Sequence, residues 1–309
     1  MRLVFMGTPD FAVPSLQALV DAGHDVCGVF SQPDRPVGRH QGKLRPTPVK
    51  CCALENSIPV FQPENLRDGV AYSQLSKLKP DLIVVVAYGR LLPNEILSLP
   101  SKGCINVHPS LLPKYRGCAP INWAIINGET ETGVTIIYMS SELDAGDIIT
   151  QSRITISQDE TAEELHDRLS ESGGKLLIKA IKAIDEGTSS RTPQDSALSS
   201  YAPMLSRALS PINWTYTAKE IHNWVRGLFP WPAASTDAFS NQQIKVLSTS
   251  VTDRNTLRAP GMVLKADKEG IDIACGDGSV LRILEVQAPG SRKMSVGNYL
   301  LGHSILVNT

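Results

Sequence analysis

Three polar side chains of different chemical types lie in two short segments of the chain. Asn106 and His108 belong to the segment Asn106-Val-His108-Pro-Ser110-Leu-Leu-Pro113-Lys-Tyr-Arg-Gly117, and Asp144 belongs to Leu143-Asp144-Ala-Gly146-Asp147. An amide and a cationic imidazole can donate hydrogen bonds to an oxyanion, and a carboxylate beside the imidazole would orient it. The two segments therefore predict an active site that stabilises an oxyanion and moves a proton.

The spacing of Asn106 and His108 places both side chains on the same side of a strand. Pro109 marks the point where this strand can no longer continue, and ligands of open α/β sheets bind beyond the carboxyl ends of the strands. A histidine near a strand end is also a common structural residue, and the spacing alone leaves that interpretation open. Ser110 lacks the Gly-x-Ser-x-Gly context of a nucleophile, which favours a role in packing or backbone geometry.

Alternating strand and helix patterns surround these residues and must position them. Apolar runs predict strands over 3–6, 26–30, 82–87, 103–108 and 133–139, several of them continuous as in strands covered on both faces. Helical spacing follows the first strand, a capping box at 161–164 opens a second helix, and a further helix is predicted from Lys175 to about Glu186. The fold class predicted is α/β, an open, doubly wound Rossmann-like parallel sheet.

The C-terminal third of the chain changes character. Periodicity is lost in a segment rich in Ser, Thr and Pro, and runs typical of β-strands follow over 243–251, 261–266, 271–275 and 280–286. We therefore predict a catalytic domain at 1–188, a linker at 189–206 and a small antiparallel, OB-like β-barrel at 207–309. Within the barrel region, 11 Lys or Arg against 8 Asp or Glu give a net charge of +3, weak evidence for a surface that faces phosphates.

Composition and motifs exclude several other classes. The formal net charge of -1 and the lack of about 18 consecutive apolar residues give no signal for a membrane. Without a signal peptide or CxxC spacing, the six cysteines are expected to be reduced and the protein cytoplasmic. The histidines lack Cys or Glu partners at ligand spacing, so no metal is expected, and neither a dinucleotide fingerprint nor a Walker motif is present.

A basic segment with many prolines and glycines extends from Asp34 to Lys50 and is predicted to be a loop. It is either a solvated surface excursion or an arm that reaches for phosphates, and its prolines favour the arm because they limit the entropy lost on docking. Its cations are Arg35, Arg39, Lys43, Arg45 and Lys50.

The segment Gly103-Cys-Ile-Asn106-Val-His108-Pro-Ser110-Leu-Leu-Pro113-x-x-Arg-Gly117, followed by Leu143-Asp144-x-Gly146, resembles the signature of the formyltransferases that use 10-formyltetrahydrofolate. The first ten residues, the Gln32-Pro-Asp-Arg-Pro loop through Lys50 and Val85-Val-Ala-Tyr-Gly89 resemble the branch of that family that formylates methionine on charged initiator tRNA. The resemblance covers the whole chain and is strongest before residue 150.

The resemblance implies transfer of a formyl group from N10 of the folate to the methionine α-amino group, without a covalent enzyme intermediate, for the initiation of translation. Asn106 and His108 would hold the oxyanion, and Asp144 would orient His108 and help to protonate N10. Folate contacts would come from Ser110, Leu111, Leu112 and Pro113 and from Val86, Ala87 and Tyr88. The tRNA contacts would come from Arg35, Arg39, Lys43 and Arg45. We expect a monomer.

Related chains formylate glycinamide ribonucleotide or an amino sugar nucleotide, or hydrolyse formyl-folate as part of a larger enzyme. The length of this chain argues against the first, and its Pro-Asp-Arg-Pro loop favours tRNA over the others. A binding protein of the same fold without catalytic activity is the alternative from another class. The intact set of Asn106, His108 and Asp144 argues against it.

Overall fold

The structure, a computed structural model, describes residues 1–37 and 43–307. The strands are β1 (Arg2–Gly7), β2 (Asp25–Phe30), β3 (Arg35–Val37), β4 (Lys43–Arg45), β5 (Val60–Phe61), β6 (Leu82–Val86), β7 (Cys104–His108), β8 (Arg116–Gly117), β9 (Glu131–Tyr138), β10 (Ile148–Thr155), β11 (Tyr201–Ala202), β12 (Ala234–Thr236), β13 (Ile244–Asn255), β14 (Val263–Asp267), β15 (Gly270–Ala274), β16 (Ser279–Gln287) and β17 (Met294–Ser295). The α-helices are α1 (Val13–Asp21), α2 (Pro48–Glu55), α3 (Val70–Leu78), α4 (Asn94–Leu97), α5 (Pro120–Ile126), α6 (Ala162–Asp185), α7 (Ala218–Leu228) and α8 (Val296–Leu300).

The chain divides into two compact units. The first contains residues 1–117, 131–155 and 166–202, and the second contains residues 118–130, 156–165 and 203–309. The second unit thus contains, in addition to the C-terminal region, two short segments that interrupt the first unit in the sequence. The domain boundaries at residues 188 and 206 stay a prediction.

The first unit is built on a seven-stranded sheet with the order β10-β9-β7-β6-β1-β2-β5. The five strands from β7 to β5 are parallel, whereas β9 is antiparallel to β7 and β10 is antiparallel to β9. The predicted Rossmann-like α/β class is confirmed, with an antiparallel edge added to the parallel strands. Strand β10 carries no continuous apolar run and was not predicted from the sequence.

The central strands are continuous apolar runs because helices and loops cover both of their faces. Every residue from Leu3 to Met6 is fully buried, and all five residues of β6 are buried. Burying one large aliphatic or aromatic side chain contributes about 1.5–3 kcal/mol. The run of apolar residues therefore both identifies the strand and supplies the free energy that holds it in the middle of the sheet.

Helix α6 corrects the sequence prediction of two separate helices. It runs unbroken through Gly173 and Gly174, where the sequence suggested a break. A Cβ at position 174 would lie 2.9 Å from the carbonyl oxygen of Pro14, and one at position 173 would lie 3.0 Å from Cγ1 of Val107. The two glycines therefore allow close packing of the helix in the first unit, and they do not end it.

The segment 34–50 is more ordered than the predicted loop where the structure describes it. Strands β3 and β4 pair antiparallel, with Arg35 opposite Arg45, and α2 begins at Pro48. The side chain of Thr47 caps this helix by accepting a hydrogen bond from the Lys50 amide. The loop prediction was wrong at both ends of the segment because strands of only three residues leave little signal in the sequence.

The second unit confirms the predicted antiparallel C-terminal region. Its sheet has the order β12-β13-β16-β15-β14, and β17 pairs with β16. Helix α7 begins with a capping box between Thr217 and Glu220. Its apolar face packs into a core with the sheet through Ile221 and Val225, both 1% exposed.

Candidate active site

Strand β7 presents two of the three predicted catalytic side chains at its carboxyl end. Asn106 pairs with Val85 on one side and Ile137 on the other, and His108 pairs with Thr135. A strand held on both sides is a rigid support. The alternation of side chains along it puts Asn106 and His108 on the same face, as their spacing predicts.

Asp144 is brought to this face by the antiparallel strand β9 and the loop that follows it, which the sequence did not indicate. Because β9 is antiparallel to β7, its last residue, Tyr138, lies opposite Ile105, and the loop 139–147 must turn back toward His108. At Gly146 a Cβ would lie 1.7 Å from the carbonyl oxygen of Tyr138, so no other residue fits there. Asp144 itself adopts a left-handed backbone with φ of 50°. The loop is thus folded tightly to deliver the carboxylate.

The structure brings Asn106, His108 and Asp144 together. Asn106 Nδ2 donates to Asp144 Oδ1 at 3.4 Å, and the Gly117 amide donates to Asp144 Oδ2 at 2.9 Å. His108 Nδ1 lies 3.7 Å from the same Oδ2, with the two side chains only 4% and 11% exposed. Exclusion from water strengthens the electrostatic interaction between an imidazolium and this carboxylate.

The hydrogen bonds of His108 decide which of its nitrogens can exchange a proton. Nε2 lies 2.9 Å from the carbonyl oxygen of Tyr115. A carbonyl oxygen only accepts hydrogen bonds, so Nε2 keeps its hydrogen and Nδ1, which faces Asp144, is the nitrogen that gains or loses a proton. The pair can therefore hold a proton between an imidazole and a carboxylate at the edge of the site.

A pocket opens beside Asn106 and Asp144. Its remaining wall consists of apolar side chains from three segments and of the loop that carries Asp144: Leu91, Leu92, Ile137, Met139, Ser140, Ser141, Glu142 and Leu143. A pocket lined by apolar side chains and by a few polar groups suits a flat heterocycle whose reactive group is oriented by the polar groups. The sequence did not point to Leu91 and Leu92, although they follow the carboxyl end of β6, where ligands of such sheets bind.

The predicted folate segment 110–113 is placed beside the trio but outside this pocket. Ser110 is fully buried and its hydroxyl donates to the Lys114 carbonyl at 2.7 Å, which agrees with a role in backbone geometry. Thr135 Oγ1 donates to the Ser110 carbonyl and accepts from the Leu112 amide, at 2.6 and 3.1 Å. Leu111 and Pro113 are partly exposed. Folate contacts by these four residues stay a prediction.

The turn after β6 contains the other predicted folate residues. Val86 is buried at the end of the strand, and Ala87 is exposed with φ of 45°. The Tyr88 carbonyl accepts hydrogen bonds from Thr8 Oγ1 at 3.0 Å and Gln32 Nε2 at 3.2 Å. Its ring is packed in the core, and burial raises the pKa of the Tyr88 phenol. The turn is therefore held by its backbone, and the pocket wall begins three residues later.

Two of the four predicted tRNA-binding residues can be located with their side chains. Arg35 and Arg45 are exposed and face each other in the backbone register of β3 and β4. Arg39 and the side chain of Lys43 lie outside the described residues. Neighbouring cations with exposed side chains are suited to contact phosphates.

Lys50, the last cation of the segment, is committed to a contact within the protein. Its Nζ lies 2.6 Å from Asp34 Oδ2 and 2.7 Å from Gln62 Oε1. Gln62 Nε2 donates in turn to Asp34 Oδ1 at 2.7 Å. The hydrogen bonds from Lys50 and Gln62 lower the pKa of Asp34. This network fastens the two ends of the basic segment to each other.

Within residues 1–37 and 43–307, no group of three or more His, Cys, Asp or Glu side chains could hold a metal ion. Among the residues that the structure describes, no helix has the length and apolar character needed to cross a membrane.

Comparison with known families places the whole chain. The family model for formyl transferase matches residues 1–181, and the model for the formyl transferase C-terminal domain matches residues 204–304. The methionyl-tRNA formyltransferase of Alkaliphilus oremlandii is 48% identical over 305 residues, which is 99% of this chain and 97% of that protein. The methionyl-tRNA formyltransferase of Clostridioides difficile is 46% identical over 305 residues, 99% of this chain and 98% of that protein.

Solved structures share the fold. The N-formyltransferase from Helicobacter canadensis, solved with folinic acid and dTDP-3-aminofucose, matches with a TM-score of 0.72 at 23% identity, over 92% of this chain and 98% of its own. HypX from Aquifex aeolicus, solved with tetrahydrofolic acid, matches with a TM-score of 0.63 at 20% identity, over 97% of this chain and 47% of its own. Together with the sequence relatives, these matches lead to one conclusion: the chain belongs to the formyl transferase family and, within it, to the methionyl-tRNA formyltransferases.

Proposed function

We propose that this enzyme transfers the formyl group of 10-formyltetrahydrofolate to the α-amino group of methionine esterified to initiator tRNA. The product serves the initiation of translation in the cytoplasm. The observation that carries the proposal is the convergence of Asn106, His108 and Asp144, two of which, Asn106 and Asp144, line a pocket. The relatives at 46–48% identity carry the name of this activity, which supports the choice of acceptor.

The donor fits the pocket by its chemistry. A reduced pterin is a flat heterocycle, and the wall formed by Leu91, Leu92, Ile137 and Met139 offers apolar surface to its faces. The formyl group on N10 would then lie against Asn106 and Asp144. Two of the proteins that share the fold were solved with folate derivatives.

The chemistry that the trio would perform has two steps. In the first, the neutral amine forms a bond to the formyl carbon, and the carbonyl oxygen becomes an oxyanion. Asn106 has a second amide hydrogen for this oxyanion, because only one is directed at Asp144. His108 stabilises the oxyanion through the positive charge of its imidazolium, whose Nε2 stays bonded to the Tyr115 carbonyl. Losing one such donor typically lowers the rate about 10²–10³-fold.

In the second step the bond between the carbon and N10 breaks. The amine gives up one proton and N10 gains one, so protons balance within the reaction. Asp144 carries this proton, and its contact with His108 keeps the imidazolium oriented while the charge shifts. Assistance of this kind contributes about 10²–10⁴-fold. The carbonyl carbon stays bonded only to substrate atoms, which is why no covalent enzyme adduct is needed.

The acceptor end of the tRNA would be met by the basic segment through Arg35, Arg39, Lys43 and Arg45. The net charge of +3 after residue 206 supplies a second favourable surface. Both features would bind phosphates, so they would increase the affinity for tRNA without contacting the formyl donor. The proposed assembly is a monomer with one folate and one tRNA.

The test is a competition between acceptors. The enzyme is incubated with 10-formyltetrahydrofolate labelled in the formyl group and with charged initiator tRNA, an amino sugar nucleotide or glycinamide ribonucleotide in separate reactions. We expect label on the methionyl-tRNA and at most a trace on the other two. Label transferred preferentially to a sugar nucleotide or to glycinamide ribonucleotide would overturn the proposed acceptor. Release of formate in every reaction would identify a hydrolase.

A further inference from the structure

The segment 189–202, which we call the strap, lies in the first unit against the strand ends that flank Asp144. The Ser189 hydroxyl lies 3.0 Å from the Tyr138 hydroxyl, and Ser190 Oγ donates to the Ile149 carbonyl at 2.7 Å. Thr192 and Ile148 exchange backbone hydrogen bonds of 2.8 and 3.0 Å. The strap is thus fixed at both ends of the loop 139–147.

Gln194 in the strap makes four hydrogen bonds with its amide group. Nε2 donates to the carbonyl oxygens of Asp144 and Gly146, both at 2.8 Å. Oε1 accepts from Nε and Nη2 of Arg116, at 3.0 and 2.7 Å. Carbonyls only accept and a guanidinium only donates, so the amide has a single orientation that satisfies all four partners.

Arg116 connects Gln194 to the other contact of the Asp144 carboxylate. It directly precedes Gly117, whose amide donates to Asp144 Oδ2 at 2.9 Å. The strap also fixes the backbone here, because Arg116 and Gly117 pair with Tyr201 and Ala202. Gln194 therefore joins the backbone of Asp144 to the segment that binds its side chain.

The backbone of Asp144 needs such support. Its φ of 50° is left-handed, and this region is unfavourable for a residue with a Cβ. The conformation persists only where the surroundings determine it. The bond from Gln194 to the Asp144 carbonyl is one of the contacts that hold the left-handed residue in place.

We propose that Gln194 is a positioning residue for formyl transfer, acting through Asp144. The inference rests on the proposed role of Asp144 and adds a residue that lies between the two regions matched by the family models, residues 1–181 and 204–304. Removing the amide leaves two carbonyls without their donor and Arg116 without its acceptor. A displacement of about 1 Å in a catalytic group costs about 10²-fold in rate, and the expected loss in kcat is therefore 10- to 100-fold.

The experiment compares three variants in single-turnover and steady-state assays with charged initiator tRNA and 10-formyltetrahydrofolate. Gln194→Met removes all four hydrogen bonds at nearly constant volume. Gln194→Glu keeps the acceptor for Arg116 but has no hydrogens for the two carbonyls. Ser190→Ala is the matched control, since it removes a strap hydrogen bond that does not touch the loop of Asp144.

We expect Gln194→Met and Gln194→Glu to lose 10- to 100-fold in kcat, with KM for both substrates within threefold of wild type. Ser190→Ala is expected to stay within twofold in kcat. The second readout is hydrogen exchange of the Gly117 amide, which should become at least tenfold faster in Gln194→Met and change less than twofold in Ser190→Ala. This measurement reports whether Asp144 still binds the Gly117 amide, and it does not depend on catalytic activity.

A loss of less than tenfold in Gln194→Met, or unchanged exchange at Gly117, would overturn the inference. Wild-type kcat in Gln194→Glu would do the same, because it would show that anchoring Arg116 is the whole role. Asp144→Asn is assayed in parallel, so that a failure of the proposed role of Asp144 can be distinguished from a failure of the inference about Gln194. If that variant turns over normally, the proposed role of Asp144 fails; if it is inactive while Gln194→Met is active, only the inference about Gln194 fails.

Discussion

The carboxylate of Asp144 is the group whose removal should cost the most. Asp144→Asn keeps the shape of the side chain and removes its charge. The single oxygen of the new amide can accept from the Gly117 amide, but its nitrogen then faces Asn106 Nδ2, a donor, across the present 3.4 Å. The substitution also removes the negative charge that lies 3.7 Å from His108 Nδ1. At about this separation, two unit charges attract by roughly 4 kcal/mol at an effective dielectric constant near 20.

A loss of this size in the transition state corresponds to about 10³ in rate. We therefore expect kcat to fall about 10³-fold, while the affinity for tRNA changes less than threefold, since the proposed tRNA contacts belong to other residues. Single-turnover formylation gives the rate, and filter binding gives the affinity. Circular dichroism and thermal unfolding check that the variant is folded.

Asp147→Asn provides the matched control in the same loop. The Asp147 carboxylate is 38% exposed and lies 3.9 Å from Arg191, so its removal should change kcat less than threefold. A rate for Asp144→Asn within tenfold of wild type would refute the reasoning, because a buried partner of His108 that moves a proton cannot be dispensable. An equal loss in both variants would also refute it, since the effect would then belong to the loop as a whole.

Three further predictions concern other parts of the molecule. Lys50→Met removes the ion pair to Asp34 and the hydrogen bond to Gln62 at the base of the basic segment. KM for tRNA should rise several-fold, and KM for the folate should not change. Equal changes in both KM values would contradict a role of Lys50 in holding this segment in place. His222 is 3% exposed, and burial lowers its pKa below 6.5. Below pH 6.5 the unfolded chain therefore binds more protons than the folded chain, and the free energy of unfolding of the second unit should fall as the pH falls, by at most about 1.4 kcal/mol per pH unit. In His222→Gln, the free energy of unfolding measured with urea should depend less steeply on pH than in wild type between pH 5 and pH 6.5. Burial raises the pKa of Cys104 to about 12 and that of Cys275 to about 11. Because the thiolate is the reactive form, iodoacetamide should modify the exposed Cys118 before these two. Peptide mass spectrometry of the folded protein would contradict this if Cys104 and Cys118 reacted at similar rates.

Local patterns were sufficient for the longer apolar strands of the first unit and for two of the three side chains of the candidate site. The apolar run from Leu82 to Val86 identifies a buried central strand because only burial on both faces makes such a run favourable. The period of two residues along a strand is enough to put Asn106 and His108 on one face. The capping box at Thr217 marks the start of α7 because its hydrogen bonds form between residues only three apart in the sequence.

The sequence by itself thus determined the fold class, the two β7 side chains and the likeness to a formyltransferase signature. Only the tertiary structure decided how Asp144 joins them, that α6 continues through Gly173 and Gly174, and that Gln194 holds the loop. The physical reason is the range of the interactions. The antiparallel direction of β9 depends on pairing with a strand nearly thirty residues away, and Gln194 meets Asp144 at a separation of 50 residues. Such contacts leave no period or spacing in the local sequence, because their partners come together only when the sheet and the strap are formed.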